Sequence, residues 1–353
     1  MSLILESPLI SPGYESARMT EDILVFTSTE FRGVAVTGNS VAIAGDESVL
    51  VVDSGHFPTV TRRQISEIRH TFEKPVKFLV NTHWHPDHWM GNGLYKEEFP
   101  DLLIFSHAFT RAMIERKLLD YPARTKEQTN GLMKDLKQAI QSGKRLDGTV
   151  LTEEDTKYRT AVSLPDLETF MNEIDGMKVQ PPNITFEQGV SIDIGNRMVE
   201  VMHLGRGNTA GDVVVYVPDS GVLMTGDLVV APTPFSFGSY LREWGETLKK
   251  LKGIGAEVLV PGHGPIMHDW KYVETLEKML QSVSRQVREE LEKAALADGS
   301  NPMTVQEVRA KVDMKGYQQK LAGDSYFLNL AFDRAFTQPA IERAYLEEKF
   351  ALE

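Results

Sequence analysis

The sequence predicts an α/β protein whose strands and helices alternate in two successive series. Short apolar runs of strand length are separated by turn residues and by segments with helical spacing of apolar positions. The pattern occurs once before residue 108 and again after residue 180, and a charged, helix-favouring stretch separates the two series. Such alternation indicates two packed sheets or one mixed sheet with helices outside, and periodicity alone does not choose between them.

The first series has the order β-β-α-β-loop-α-β. A Gly-Asp-Glu-Ser turn at 45–48 joins two β-rich runs, which is typical of a hairpin, and Ile65 and Ile68 lie at helical spacing. After a short apolar run at 23–26, the predicted strands of this order are 40–44, 49–53, 76–80 and 102–105, and the helix between the second and third is 59–70.

The second series follows a mostly helical insertion, predicted at about 108–165 because it is rich in Lys, Arg, Glu and Leu. The β pattern resumes after Pro181 and Pro182. The predicted strands are 184–187, 190–194, 198–204, 213–217, 222–225 and 257–260, with a helix at 244–252.

Everything after Pro265 is predicted to be helical. A long amphipathic helix covers 272–296, Thr304 and Glu307 form a capping box for another, and one or two helices interrupted by Pro339 cover 326–353. We therefore expect a domain at 1–266 and a C-terminal helical region at 267–353 packed on it.

Composition excludes several classes of function. The 353 residues carry 38 basic and 50 acidic side chains, a net charge of −12, which argues against a nucleic-acid partner. The absence of Cys excludes disulfides, thiolate catalysis and Cys-ligated metals. We expect no membrane span, since no apolar run is long enough. The N-terminus lacks the pattern of a signal peptide, and the compartment stays open between the cytoplasm and, if a leader was removed, the periplasm or exterior.

The most informative segment is Asn-Thr-His-Trp-His-Pro-Asp-His at 81–88, directly after the strand at 76–80. In an extended segment His83 and His85 share a face, so both imidazoles can reach one metal ion. Because the chain turns after Pro86, Asp87 and His88 can point at a second ion. Nitrogen and carboxylate ligands without sulfur suit Zn²⁺, Mn²⁺ or Fe.

This His-x-His-x-Asp-His pattern resembles the signature of the metallo-β-lactamase superfamily. Three further segments match: Thr-Gly-Asp ending at Asp227, Pro-Gly-His ending at His263, and Asp-Ser-Gly beginning at Asp53. The resemblance covers about residues 20–268 and implies an αββα sandwich with a metal cleft at one edge. It implies that Asp227 bridges two metals and that His263 is the final histidine ligand. It also implies that Asp53 supports the loop that carries the His-x-His-x-Asp-His pattern at 83–88, which we call the metal loop.

One position departs from the family pattern. The family has a His ligand in a Gly-x-x-His-Thr-x-Gly-Asp context, where this chain has Asn208. Thr209 and Asp212 fix that register, although His203 is an alternative replacement ligand. Because an amide oxygen is a weaker donor to Zn²⁺ than imidazole nitrogen, we expect the site of His83, His85 and Asn208 to bind less tightly than the site of Asp87, His88 and His263.

The resemblance implies a hydrolase with one or two Zn²⁺ ions, or Fe or Mn, acting on a small ester, thioester, lactone or lactam. Metal ions lower the pKa of water towards neutrality, and Asp87 is expected to orient this water and accept its proton. The alternatives are an iron-dependent oxygenase of the persulfide type and a non-catalytic metal-binding protein. The substrate-binding residues stay unknown, and a homo-oligomer is compatible with the sequence.

Aromatic residues near the predicted site have two interpretations, a substrate-facing wall or ordinary core. They are Trp84, Trp89 and Tyr95 near the metal loop and Phe235, Phe237 and Tyr240 after the bridging aspartate. The insertion and the C-terminal helices likewise either cover the cleft, form a dimer contact or simply pack on the domain.

Overall fold

The computed structural model describes residues 14–28, 38–145, 148–174, 177–297 and 303–350. The chain divides into two compact units. The first contains the described residues up to Asn81 together with His85–Phe105 and Arg111–Ile184. The second contains Thr82–Trp84, Ser106–Thr110 and the described residues from Thr185 onwards. Each unit carries its own sheet, so the predicted α/β class is confirmed with two sheets rather than one mixed sheet.

The first unit is built on a seven-stranded sheet in the order β1-β2-β3-β4-β5-β6-β7. Neighbours from β1 to β4 pair antiparallel, and β4, β5 and β6 pair parallel. The strands are β1 Tyr14–Thr20, β2 Ile23–Ser28, β3 Ser40–Ala44, β4 Val49–Val52, β5 Val76–Val80, β6 Leu103–His107 and β7 Ile184–Phe186. The helices between them are α1 Pro58–Phe72, α2 Pro86–Trp89 and α3 Asn92–Glu98.

Helix α1 makes the crossover between the parallel strands β4 and β5. It begins with a proline, whose fixed φ suits the first helical turn, and it buries Val60, Ile65 and Ile68. It ends at Glu73 in the left-handed conformation, with φ 52°. The predicted spacing of Ile65 and Ile68 therefore identified the buried face of this helix.

Strand β1 was not predicted, because its sequence Tyr-Glu-Ser-Ala-Arg-Met-Thr lacks an apolar alternation. It lies at the edge of the sheet, pairs only with β2 among the described strands, and is mostly exposed. Charged residues are common on edge strands because they prevent pairing with other chains. Patterns based on burial do not detect such a strand.

The predicted insertion is helical, and its helices extend beyond residue 165. A capping box at Thr152 starts α6, and a π-helical turn at Arg159–Ser163 joins α6 to α7. The helices are α4 Ala108–Lys117, α5 Tyr121–Ser142, α6 Glu153–Tyr158 and α7 Leu164–Ile174.

The second unit contains a five-stranded sheet in the order β12-β11-β10-β9-β8. The strands β11 and β12 are parallel, and the other neighbours are antiparallel. The strands are β8 Gly189–Asp193, β9 Met198–Met202, β10 Val214–Val217, β11 Val222–Val230 and β12 Val258–His263, with α8 Leu241–Gly253 between the last two.

Two strands of this sheet are longer than predicted, and both carry candidate ligands within them. Strand β11 continues through Asp227, which was predicted to follow the strand, and β12 continues to His263. The register between the two strands shifts at Gly226, which has φ 51°. Such an irregularity changes the direction of neighbouring side chains. From the residues alone, the Thr-Gly-Asp segment resembles the end of a strand rather than its middle.

The C-terminal helices share one hydrophobic core with this sheet. Trp244, Met279 and Phe336 are buried there beside residues of β10, β11 and β12. The helices are α9 Lys271–Ala297, α10 Val305–Arg309, α11 Lys315–Ala322, α12 Tyr326–Ala331 and α13 Gln338–Lys349. Among the helices of the described residues, none combines the length and the apolar character that a membrane crossing requires. The domain boundary at residue 266 stays a prediction.

The capping box of Thr304 and Glu307 is confirmed at the start of α10. The predicted interruption at Pro339 is wrong. Helical backbone runs without a gap from α12 through a π-helical turn, Phe332–Thr337, into α13, whose second residue is Pro339.

Two leucines of the first unit provide a test of its core. Leu79 in β5 is 0% exposed and Leu132 in α5 is 58% exposed. We expect Leu79→Ala to lower the free energy of unfolding by about 2–5 kcal/mol, because it leaves a cavity in a close-packed core. Leu132→Ala should change it by less than about 1 kcal/mol. Chemical denaturation measures both, and equal effects would contradict this assignment of the core.

Candidate metal centre

The first unit contains a buried cluster of two carboxylates and an imidazole. His88 Nδ1 lies 2.7 Å from Asp53 Oδ2, and His88 Nε2 lies 3.4 Å from Asp87 Oδ2. All three side chains are buried. Two ligands on one tetrahedral Zn²⁺ ion lie about 3.3 Å apart, given metal–ligand bonds of about 2.0–2.1 Å. The separation of His88 Nε2 from Asp87 Oδ2 therefore suits a shared ion, while Asp53 orients the ring from its other nitrogen.

Backbone geometry explains how Asp53 reaches His88. Strand β4 ends at Val52, and Asp53 has φ 57°, a left-handed conformation that Asp and Asn tolerate better than most residues. On the other side of the ring, a Cβ atom at Gly38 would lie 2.5 Å from His88 Cε1. Only glycine allows the backbone to approach the imidazole so closely.

A network of buried amides holds the backbone of the metal loop. The carbonyl of His88 accepts hydrogen bonds from Ser54 N at 2.9 Å and Asn81 Nδ2 at 3.2 Å. Asn81 and Asn92 exchange side-chain hydrogen bonds of 3.1 and 2.8 Å, and Ser54 Oγ donates to Asn92 Oδ1 at 2.9 Å. The sequence did not identify these roles, although Asn81 is the first residue of the segment 81–88.

The second unit contains a cluster centred on Asp227. Its Oδ2 lies 3.4 Å from His83 Nε2, and its Oδ1 lies 3.5 Å from His263 Nε2. His83 Nδ1 is 3.0 Å from Thr82 Oγ1, so the ring is held from its other nitrogen. A Cβ atom at residue 262 would lie 2.1 Å from Asp227 Oδ1, which explains the glycine there. A carboxylate with an imidazole beside each oxygen has the arrangement of a bridging ligand.

Asn208 is fully buried and its amide has a defined orientation. Its Nδ2 donates to the carbonyl of Phe235 at 2.8 Å. No described residue donates a hydrogen bond to its buried Oδ1. A buried acceptor without a partner is costly, and a cation would satisfy it. The donor set of imidazoles, carboxylates and this amide oxygen therefore fits divalent metal ions.

The loop that carries Asn208 is fixed by Asp212. Its carboxylate accepts from Thr209 N at 2.8 Å and Thr209 Oγ1 at 2.6 Å. Burial raises the pKa of Asp212 to about 7, although the hydrogen bonds from Thr209 oppose this rise. His203 Nδ1 lies 2.8 Å from the carbonyl oxygen of Asp212, and its ring packs against that of His107 in a tilted arrangement, with centroids 4.5 Å apart. These contacts favour Asn208 over His203 as the ligand.

The aromatic residues divide between the two interpretations. Trp89 and Tyr95 are fully buried and belong to the core. Phe235 packs edge-on against His263, with ring centroids 5.9 Å apart, and Phe237 is 54% exposed. The sequence alone did not separate these roles, since both groups follow candidate ligands. Phe235, whose ring contacts His263, is placed as a wall of the site would be.

The C-terminal helices hold the loop that carries Phe235, which spans residues 231–240. Ser236 N and Oγ donate to the carbonyls of Ala335 and Phe336 at 2.9 and 2.8 Å. Arg343 Nε donates to the carbonyl of Ser239 at 2.6 Å. The loop is thus attached to the π-helical turn and to α13.

The candidate ligands fall into both units. His83, Asn208, Asp227 and His263 belong to the second unit, whereas His85, Asp87, His88 and Asp53 belong to the first. The histidine and aspartate candidates other than Asp53 and His203 belong to groups that could hold a metal ion; they are His83, His85, Asp87, His88, Asp227 and His263.

Comparison with known proteins gives one family. Residues 33–263 match the model of the metallo-beta-lactamase superfamily. The chain is 26% identical over 244 residues to a linear primary-alkylsulfatase of Pseudomonas sp. (strain ATCC 19151), and the match covers 67% of this chain but only 43% of that enzyme. It is 22% identical over 255 residues to a metallo-beta-lactamase type 2 of Bacillus sp. (strain 170), covering 70% and 74% of the two chains.

A solved structure shows the same fold. The metallo-beta-lactamase from Pontibacter korlensis matches with a TM-score of 0.54 and 20% identity, covering 76% of this chain and 99% of that one. At this identity the likeness shows the fold alone, and it confirms the predicted metallo-β-lactamase-like architecture.

Asp53 offers a test of how the imidazole of His88 is supported. We expect Asp53→Asn to keep the backbone, since Asn also tolerates positive φ. The loss of the carboxylate should make His88 a weaker ligand and lower the affinity for Zn²⁺ by roughly 10- to 100-fold. Competition with a chromogenic chelator measures this affinity. Asp46→Asn, at an exposed turn position, is the control, and equal affinities in the two variants would contradict the assignment.

Proposed function

Because the chain belongs to the metallo-β-lactamase superfamily, we propose that it uses zinc to hydrolyse a small ester, thioester, lactone or lactam. Its relatives are hydrolases, among them an alkylsulfatase and metallo-β-lactamases. The observation that carries the proposal is the carboxylate of Asp227 between the imidazoles of His83 and His263, at 3.4 and 3.5 Å. Hydrolysis needs water activated at neutral pH, and such a cluster is suited to hold the ions that provide it.

The proposed ligands form two sets joined by the metal loop. One ion would be held by His83, His85 and Asn208 and the other by Asp87, His88 and His263, and Asp227 would contribute to both sets. Chain continuity supports this assignment, because only one residue separates His83 from His85 and consecutive Cα atoms lie about 3.8 Å apart. When bound, the ions would lower the pKa of water and polarise the bond to be broken.

The protein's own side chains would orient the reactants and move the proton. Asp87 accepts the proton of the attacking water at its carboxylate, while Asp53 Oδ2, 2.7 Å from His88 Nδ1, orients the neighbouring imidazole. Phe235 excludes water from one side of His263, against which its ring packs. Neither role requires a serine or cysteine nucleophile.

Metal dependence and Asp87 test the function directly. We expect the zinc-loaded protein to hydrolyse at least one member of a panel of chromogenic carboxylate esters, thioesters, lactones, lactams and sulfate esters. A chelator should abolish the activity, and Asp87→Ala should lower kcat by about 10²- to 10⁴-fold, the usual contribution of a proton acceptor. Asp269→Ala, at an exposed position, is the control and should retain the activity.

The same panel separates the alternatives. Absence of turnover throughout, with metal bound, would favour a non-catalytic metal-binding protein. An iron-dependent oxygenase would instead consume oxygen with a persulfide and purify with iron. The similarity to hydrolases favours hydrolysis over oxygenation. Asn208 favours it too, because an oxygenase would rely on the site that this amide weakens.

Asn208 predicts unequal affinity for the two ions. Because a neutral amide oxygen binds Zn²⁺ more weakly than an imidazole, protein purified without added zinc should retain one tightly held ion rather than two. Asn208→His should raise the content towards two ions per chain. Elemental analysis and calorimetric titration of both proteins measure this difference. Two equally tight ions in the unmodified chain would contradict the prediction.

A further inference from the structure

The side-chain amide of Asn208 has two ends with different surroundings. Its Nδ2 donates to the carbonyl of Phe235 at 2.8 Å, and its buried Oδ1 accepts a hydrogen bond from none of the described residues. The two ends of an amide are nearly equal in size, so packing alone does not choose between them. If the amide were turned over, its oxygen would face the carbonyl oxygen of Phe235, and two acceptors repel each other. The carbonyl of Phe235 therefore selects the orientation that leaves the Asn208 oxygen for a cation.

The peptide unit that contains this carbonyl is held from its other side. The carbonyl of Phe235 and the N–H of Ser236 belong to one planar unit and point in opposite directions. Ser236 N donates to the carbonyl of Ala335 at 2.9 Å, and Ser236 Oγ donates to the carbonyl of Phe336 at 2.8 Å. Hydrogen bonds thus run in series from Asn208 through the peptide unit to the π-helical turn. Hydrogen bonds in series polarise one another, which strengthens the bond that orients the amide.

A second connection joins the same loop to α13. Tyr240 N donates to the carbonyl of Gly207, the neighbour of Asn208, at 2.8 Å. The guanidinium of Arg343 lies 5.4 Å from the centre of the Tyr240 ring, and Arg343 Nε donates to the carbonyl of Ser239 at 2.6 Å. The backbone next to Asn208 and the carbonyl that orients its side chain are therefore both attached to the C-terminal helices.

We propose that Ser236 and Arg343 are positioning residues for Asn208, through which the C-terminal helices set the affinity of the weaker metal site. The inference rests on the proposed function, in which Asn208 is a ligand. Thr209 and Asp212 already hold the backbone of its loop, so the helices contribute the direction of the amide oxygen. A ligand whose direction is fixed beforehand loses less conformational freedom when the ion binds. Displacement of the orienting carbonyl would free the amide to rotate and would weaken the binding of the ion.

The test measures zinc affinity rather than turnover. Ser236→Ala removes the hydroxyl bond to Phe336, and Arg343→Met keeps an apolar stem but removes the donor to Ser239. We expect each change to lower the affinity for the weaker Zn²⁺ ion by roughly 10- to 100-fold and to leave the tighter ion unchanged. Calorimetric titration of the metal-free protein measures both affinities. Arg343→Lys, which keeps a charged donor, should restore part of the affinity.

Arg309 provides a matched control. Its Nη2 donates to Glu342 Oε2 on α13 at 3.0 Å, so Arg309→Met removes a contact of this helix but none of its bonds to residues 231–240. It should change the zinc affinity by less than about twofold. A double-mutant cycle separates positioning from general loosening. In the Asn208→Ala background no amide remains to be oriented, and Arg343→Met should have no further effect on the weaker ion.

The visible spectrum of bound Co²⁺ gives a second measurement that does not depend on turnover. With both sites loaded, Ser236→Ala and Arg343→Met should shift the spectrum towards that of Asn208→Ala, because all three withdraw the same oxygen from the ion. Arg309→Met should keep the spectrum of the unmodified protein.

The results separate this inference from the proposed function. If Asn208→Ala weakens one ion while Ser236→Ala and Arg343→Met match Arg309→Met, the positioning role is overturned and the ligand set stands. Equal losses from Arg343→Met in both backgrounds also overturn it, since they show general loosening. If Asn208→Ala changes neither ion, the inference and the assignment of Asn208 as a ligand are both overturned. Metal binding as expected, without turnover of any substrate in the panel, overturns the proposed function alone.

Discussion

Three carboxylates, Asp53, Asp87 and Asp227, are almost completely removed from water, and the structure around the strand ends depends on how they are accommodated. A buried carboxylate costs several kcal/mol unless hydrogen-bond donors or positive charge surround it. Asp53 and Asp87 meet the two ring nitrogens of His88, and Asp227 meets an imidazole at each oxygen. To meet His88, Asp53 adopts a left-handed backbone conformation. Glycines occupy the positions where a Cβ atom would clash with the ring of His88 or the carboxylate of Asp227.

Much of the fold could be predicted because apolar strands alternate with amphipathic helices and end at turns. Burial leaves a pattern in the sequence, so β3, β4 and β5 were located correctly. Strand β1 left no such pattern, because an exposed edge strand is stabilised by pairing with β2 rather than by apolar contacts. Asp227 was predicted to lie after β11 rather than within it. The register shift at Gly226 is not visible in the sequence, where Thr-Gly-Asp resembles a turn.

The candidate ligands were chosen from the sequence alone and stay a prediction, whereas the groups that orient them could not be identified from the sequence. Four of them lie within six consecutive residues, and that density is visible in the sequence. The partners that orient them come from distant segments: the carbonyl of Phe235 fixes the amide of Asn208, and Asn92 completes the network beneath His88. Hydrogen bonds between residues far apart in the chain leave no periodic signal.

The attachment of residues 231–240 to the C-terminal helices has a consequence for how this protein can change. The loop beside His263 takes its position from Ala335, Phe336 and Arg343, about a hundred residues downstream. Substitutions that shift α13 would therefore move Phe235 without altering any ligand. Sequence changes in the C-terminal helices could therefore alter the selectivity of related proteins during evolution, while the candidate metal ligands stay the same.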